Sequence, residues 1–348
     1  MKIMRAASGR LAQVAAVGAL AAVAGLAGGL AAGPVAGGSP VAGKAAPATA
    51  WRVQTPPEPA GTTDQAFGAV SCSSSSACLA IAGNDYPRGV GGFGETWNGL
   101  HWTVRTVPDG KAADDLEGVA CRSAQWCVAV GSKASGNGFV PVADRWNGAA
   151  WKIQPLPAPP GGGLLHAVAC PAPSACRAVG SDDKGLFSEV WNGAAWVIRP
   201  VPVPAGGSFA GLNGVSCTAA ASCEAVGSYE KDGTFRSLAE VWTGSRWLLQ
   251  APSAGPGATS SQLNAVSCVS ATDCEAAGDA QTTATGQAGI LEKWNGTNWT
   301  VQEKVLPAGD TSARLSGISC TTGPVCEAVG YHGVAAYRDH VLALRYSS

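Results

Sequence analysis

Three observations predict an all-β chain, and more narrowly a six-bladed β-propeller of four-stranded antiparallel blades whose N-terminal strand closes the last blade. One motif recurs six times, its copies beginning near Phe67, Leu116, Leu165, Leu212, Leu263 and Leu315, a period of about 50 residues. A fixed period of that size marks a ring or array of small units rather than one large core. The dipeptide Asn-Gly stands at 98–99, 147–148, 192–193 and 295–296, each time between apolar runs. It is a strong hairpin signal because both residues tolerate positive φ. Twelve cysteines fall in six pairs, with five residues inside each pair.

Repeat four serves as the type. Leu212-Asn213-Gly214-Val215-Ser216-Cys217 reads as strand a and Cys223-Glu224-Ala225-Val226-Gly227 as strand b. Both are small or apolar at nearly every position, the pattern of strands covered on two faces. Glu240-Val241-Trp242 ends strand c, and Trp247 opens strand d after the turn at Thr243-Gly244. A proline-rich segment then stops strand d, since proline has no N–H for a further ladder. A four-stranded meander at this period is what a propeller requires.

The cysteines pair locally: Cys72 with Cys78, Cys121 with Cys127, Cys170 with Cys176, Cys217 with Cys223, Cys268 with Cys274 and Cys320 with Cys326. Metal binding is the competing use, but there are four histidines and none recurs at a fixed offset from a pair. C-x5-C is also not a usual zinc spacing. Six disulfides stapling the a–b hairpins are therefore expected, each worth ~2 kcal/mol. No metal and no cofactor is expected.

The two ends bear on the blade count. The last copy stops at Leu344-Arg345-Tyr346, where the others carry acid-x-Trp and a strand d. Trp51-Arg52-Val53-Gln54-Thr55-Pro56 matches Trp151-Lys152-Ile153-Gln154-Pro155 in type and order. It is expected to supply the missing strand, close the ring and remove an open edge.

Charged residues make up only 14% of the chain and the formal net charge is −1. There is no basic surplus to neutralise a phosphate backbone, so nucleic acid is not an expected partner. Lys2, Arg5 and Arg10 precede an uncharged Ala/Val/Leu/Gly run that ends at residue 32. Residues 1–32 read as a signal peptide, 33–50 as an Ala/Gly/Pro-rich spacer and 51–348 as the propeller. A retained membrane anchor is the competing reading of the leader, but Ala and Gly make the run only weakly apolar. Leader and cysteines agree on a secreted protein in an oxidising, extracellular compartment, with no membrane span once the leader is cleaved. Composition leaves the oligomeric state open.

In repeat length the chain resembles Kelch-type propellers. Its Asn-Gly-x-x-Trp turn is similar to the Asp-box of sialidase-type propellers, Ser-x-Asp-x-Gly-x-x-Trp. It lacks the Gly-Gly pair of Kelch repeats and the Asp-box serine, and Asn98, Asn147, Asn192 and Asn295 stand where the Asp-box has aspartate. The staple is similar to that of exported bacterial repeats of the form Cys-x5-Cys…Trp-Asn-Gly-x-x-Trp. The resemblance covers residues 51–348 and implies a propeller fold. It carries over no catalytic residue, and a fold by itself supplies no activity.

In a four-stranded meander the a–b and c–d turns share one face of the ring, and the b–c and d–a loops share the other. The first face keeps its spacing in every copy, whereas the second varies. From strand-b Gly to strand-c acid the step is nine residues in repeat three (Gly180 to Glu189) and fourteen in repeat five (Gly278 to Glu292). A scaffold that holds one face constant and diversifies the other is expected to bind with the second. The candidates there are Asp85, Tyr86, Arg88, Asp182, Asp183, Tyr229, Lys231, Asp232, His332 and Arg338. They combine flat aromatic faces with directional charged groups, which suits a glycan or protein ligand.

Residues that recur once per copy are discounted as sites. Glu95, Asp144, Glu189, Glu240 and Glu292 each stand two before a Trp and read as structural acceptors for a backbone amide or an indole N–H. The paired tryptophans read as packing between blades, with Trp126, alone inside a cysteine turn, the exposed exception. There is no Gly-x-Ser-x-Gly, His-Glu-x-x-His or phosphate-binding glycine loop. A recognition module is therefore the expected function rather than an enzyme. The alternatives are a sialidase-like polysaccharide hydrolase or lyase, which needs acids from different blades within about 5–9 Å of one another, and a purely structural envelope protein.

Overall fold

The computed structural model describes residue 57 and residues 67–347, apart from 75, 83–92, 107–113, 137, 283–285, 321–324 and 335–337. Repeat four forms strands Ser208–Ala219, Ser222–Lys231, Thr234–Trp242 and Trp247–Gln250, paired in that order as an antiparallel meander. Repeats one to three fold in the same way. In the first five copies strand c ends on one tryptophan and strand d begins on the next, and the two rings lie 5.5–5.8 Å apart.

All six expected disulfides are formed and no cysteine is free. They join Cys72 to Cys78, Cys121 to Cys127, Cys170 to Cys176, Cys217 to Cys223, Cys268 to Cys274 and Cys320 to Cys326. The spacing works because the a–b hairpin sets the two cysteines against each other. Cys78, Cys127, Cys223, Cys274 and Cys326 are each the direct cross-strand partner of the cysteine they bond.

The expected six blades are corrected to five. The described strands make four sheets of four strands and one of seven. The large sheet arises because repeat six shares it with repeat five. Among the described residues repeat six has three strands, Ser312–Cys320, Val325–Val334 and Arg338–Ser347. The b–c hairpin of repeat five is long enough, with Thr282 opposite Gly286, to bring Gln287 into a parallel bridge with Ser312. That bridge joins the last two copies in one sheet. The strand expected at Trp51–Pro56 to close the ring lies outside the described residues.

The blades turn about strand a, because each strand a packs beside the strand a of the next repeat. The apolar core sits between repeats rather than within them. Leu116, Leu165, Leu212, Leu263 and Leu315, the first residues of the motif, are completely buried. Each joins a cluster drawn from two successive repeats, such as Val226, Ala239, Leu263, Ile290 and Trp299 for repeats four and five. Polar ties follow the same junctions. The hydroxyls of Ser71, Ser216 and Ser267 accept from the amides of Cys121, Cys268 and Cys320, at 2.9, 3.0 and 3.0 Å.

The x of Leu-x-Gly is a β-bulge. Pairing skips from Leu212 to Gly214, leaving Asn213 as the extra residue, and the same skip passes over Gly68, Glu117, His166, Asn264 and Ser316. A bulge bends the strand and re-aims a side chain. It also explains the glycine that ends the strand-b motif, since a Cβ on Gly227 would lie 1.9 Å from the carbonyl oxygen of Gly211. The c–d turn is a four-residue loop in which only glycine takes positive φ, 94° at Gly148. Asn147 instead uses its Oδ1 to accept from the amides of Ala149 and Ala150, at 3.0 and 2.8 Å.

If the bulge dictates that glycine, Gly227→Ala should cost roughly 1–3 kcal/mol, the usual range for overpacking. Chemical denaturation of the two proteins tests this, and an unchanged midpoint would remove the steric account.

Candidate functional site

In repeats two to five the b–c connections are extended hairpins rather than open loops. Strand b of repeat four runs to Lys231, opposite Thr234, and Asp232-Gly233 makes the turn with φ of 55° and 75°. In repeat three Asp182 is opposite Gly185, and the Asp182 carboxylate accepts from the Lys184 amide at 2.8 Å. Variable length on this face is therefore absorbed as extra strand, which projects side chains at fixed spacing.

Between repeats four and five the projecting strands flank an open cleft of about 470 Å³. Tyr229, Phe235, Arg236, Leu249, Thr259 and Ser260 line it. Tyr229 and Arg236 are directly opposite on neighbouring strands, so both lie on one face of the sheet. Tyr229 is braced by the d–a segment, where a Cβ on Gly207 would touch its ring at 2.9 Å. Lys231 ties the same segment by donating to the Ala205 carbonyl at 3.1 Å. Phe235 and Arg236 are exposed. Tyr229, a guanidinium and two hydroxyls can stack on a flat group and hydrogen-bond its edge, while Phe235, opposite Glu230, lies on the other face of the sheet.

Of the residues expected to bind, Tyr229 lines this cleft. Lys231 and Asp232 share its hairpin but are engaged in the tie and the turn. Asp182 is engaged in its own turn, and the Asp183 carboxylate lies over Gly161. His332 pairs through Nδ1 with Asp310 in repeat six. Arg338 stands opposite Val334 at the start of the last strand. Asp85, Tyr86 and Arg88 lie outside the described residues.

A second group of polar residues escaped the sequence reading. The bulge positions link neighbouring repeats, with Asn213 Nδ2 donating to the Leu263 carbonyl at 2.9 Å and Asn264 Nδ2 to that of Leu315 at 2.7 Å. Asp279, which is buried, accepts from Gln262 and Gln287 at 2.9 and 2.7 Å and pairs with Arg314 at 3.3 Å. Glu117 Oε2 lies 2.6 Å from His166 Nδ1, and His166 Nε2 lies 3.4 Å from Ser181 Oγ. The available signal was the x of Leu-x-Gly, a changeable and mostly polar letter inside a constant motif.

The recurring acids are buried, and the expected role of hydrogen-bond acceptor holds only in part. Glu292 accepts from the Ser253 amide at 3.0 Å. Both carboxyl oxygens of Glu189 and of Glu240 lack a hydrogen-bond partner. The sequence accounts for the difference. Ser253 is the sixth residue after Trp247, whereas the sixth after Trp151 and after Trp196 are Pro157 and Pro202, which have no N–H. Burial pushes the Glu189 carboxyl up to about 8, and burial with repulsion from Glu224 does the same to Glu240. Glu292, with its amide donor, is pushed to about 7.

The fold defines a disulfide-stapled, repeat-built β-propeller. No family model matches the chain, and no curated protein matches it. Among solved structures it is similar to a protein of unknown function from Dyadobacter fermentans DSM 18053, at 12% identity and a TM-score of 0.52, over 81% of this chain and 94% of that one. It is also similar to YCF48 from Cyanidioschyzon merolae (14% identity, 82% of this chain and 96% of that one, TM-score 0.45). For Trypanosoma rangeli sialidase the figures are 10% identity, 80% of this chain, 54% of that one and a TM-score of 0.47. At 12% identity the likeness to the Dyadobacter fermentans protein speaks to fold alone.

The acids make stability depend on pH. Their folded values stand above the ordinary 4.5, so from about pH 4.5 to about 8 the folded chain holds protons that the unfolded chain releases. Stability should be fullest below that window and fall as pH rises through it, by at most about 1.4 kcal/mol per group per pH unit. In a Glu189→Gln, Glu240→Gln variant the melting temperature should decline less between pH 5 and 9. Parallel curves for variant and parent would show that these carboxyls are not the titrating groups.

Proposed function

We propose that the chain is an exported recognition module that binds a glycan or protein ligand in the cleft between repeats four and five, on the b–c and d–a face. The observation that carries this reading is the coincidence of Tyr229, Phe235 and Arg236 in one open cleft of an otherwise repetitive scaffold. Aromatic side chains beside an arginine are the usual composition of binding hot spots. The six disulfides fit an oxidising compartment, in keeping with the leader expected at residues 1–32. Among the described residues no helix is long and apolar enough to cross a membrane.

A hydrolase is the second reading, and one observation favours it. The Glu117–His166–Ser181 chain has the order acid, base and nucleophile. With Nδ1–H donating to Glu117, His166 Nε2 is left to accept the Ser181 proton, and Ser181 Oγ could then attack an acyl carbonyl. Labelling of Ser181 by a fluorophosphonate, lost in Ser181→Ala and in His166→Ala, is what this reading requires. An unlabelled native protein would dismiss it.

For recognition, Arg236→Ala and Phe235→Ala should leave stability within about 0.5 kcal/mol, because both side chains are exposed. Affinity for a partner found by glycan array or by screening exported proteins should fall about tenfold, the loss expected from about 1.4 kcal/mol at a hot spot. Binding that survives both substitutions would place the ligand elsewhere.

A further inference from the structure

We propose a second ligand site, for a carboxylate-bearing sugar, on the disulfide and Asn-Gly face at the junction of repeats two and three. A cleft of about 370 Å³ opens there, at the small end of the range for small-molecule sites. Trp126, Trp191, Trp196, Val128, Arg145 and Gln154 contribute to its wall.

The cleft exists because this junction lacks a residue that its neighbours have. Between repeats one and two, the Arg105 guanidinium lies 5.8 Å from the centre of the Trp146 ring. Between repeats three and four, Arg177 lies 4.8 Å over Trp242 and donates to the Ala220 carbonyl at 2.7 Å, filling the space. Arg105 is the third residue after Trp102, and Arg177 directly follows Cys176. At the junction of repeats two and three those two places are held by Gln154 and Val128. Neither brings a cation over Trp191.

Trp191 and Trp126 are both half-buried at this cleft. Trp191 is fixed through its Nε1–H, which donates to the Pro173 carbonyl at 3.1 Å. Its neighbour Trp196 is buried, and its Nε1 has no acceptor. In repeats four and five the corresponding pair is closed, with Trp299 Nε1 donating to Gln250 Oε1 at 2.6 Å. Gln154, the counterpart of Gln250, instead rests its amide 3.4 Å from the carbonyls of Lys152 and Ile153.

The charges at the rim select the ligand. Arg145 and Lys152 stand directly opposite on neighbouring strands. Like charges so placed repel. The same pair is Thr96 and Thr103, Val190 and Val197, Val241 and Leu248, and Lys293 and Thr300 in the other copies. A carboxylate relieves the repulsion and suits the planar guanidinium fork of Arg145. Indole faces take the C–H face of a pyranose ring, and the Gln154 amide can bond its hydroxyls. A chain of formal net charge −1 does not favour a polyphosphate in the same place.

The test is titration of the purified chain, followed by tryptophan fluorescence, with a panel of uronate and sialyl oligosaccharides, neutral cello-oligosaccharides and an oligothymidylate. At least one acidic sugar should bind saturably and more tightly than the neutral and nucleotide probes. Val128→Arg, which copies the filling seen at Arg177, should weaken it about tenfold or more with the melting temperature retained. Trp126→Ala should weaken it similarly and carries the test should Val128→Arg fold poorly. Arg236→Ala, on the opposite face, should leave it unchanged, which separates this site from the cleft between repeats four and five. The proposal is overturned if no acidic sugar binds, if the oligonucleotide binds more tightly, or if binding persists in the folded variants.

Discussion

Each repeat is a thin sheet that cannot hide its own apolar side chains, and the molecule follows from that constraint. The buried leucine that opens strand a and the tryptophan that opens strand d both need the neighbouring repeat as their cover. Full burial of such a leucine is worth roughly 1.5–3 kcal/mol, so an isolated copy would forfeit most of its stabilisation and the units must stack. The tryptophan takes whatever its neighbour provides. Trp247 Nε1 donates to Ser188 Oγ at 2.8 Å and Trp299 to Gln250, whereas Trp151 packs against Gly94 and its Nε1 has no acceptor. The junctions therefore share a geometry but not a chemistry.

The bulge in strand a gives that shared geometry a second consequence. It inserts one residue per repeat into the row where successive first strands meet, and the identity of that residue changes from copy to copy. The row reads Gly68, Glu117, His166, Asn213, Asn264 and Ser316 along the chain. In repeats two to six a glycine stands opposite the bulge, at Gly131, Gly180, Gly227, Gly278 and Gly330, whereas repeat one has Ala82 there. Scaffold and variation are thus coupled at a single point of the backbone.

Much of this was legible from spacing. The tryptophans mark the boundary of strands c and d to the residue, and the cysteine pairs mark the a–b hairpins, because covalent length and hairpin pairing are local. The sheet count was not legible. It turns on one bridge between Gln287 and Ser312, a contact between copies that no feature within a copy reveals. The bulge was invisible for a related reason, since Leu-Asn-Gly reads as continuous strand until the opposing residues are counted. At the sites the sequence located the face of the Tyr229 cleft and singled out Trp126. It could not show that Lys231 and Asp232 are occupied in holding their hairpin, nor that Gln154 and Val128 leave Trp191 uncovered.

The buried acids show two local rules in conflict. Proline after strand d ends the ladder cleanly, which protects an edge. The same proline, six residues after the tryptophan, removes the amide that would satisfy the acid of the next repeat. Where serine stands instead, at Ser253, Glu292 keeps one hydrogen bond; where Pro157 and Pro202 stand, Glu189 and Glu240 keep none. A buried ionised carboxylate without a partner is too costly to keep, so the group holds its proton. Glu189 and Glu240 are then better described as neutral carboxylic acids, and the residue that ends the neighbouring strand separates them from Glu292.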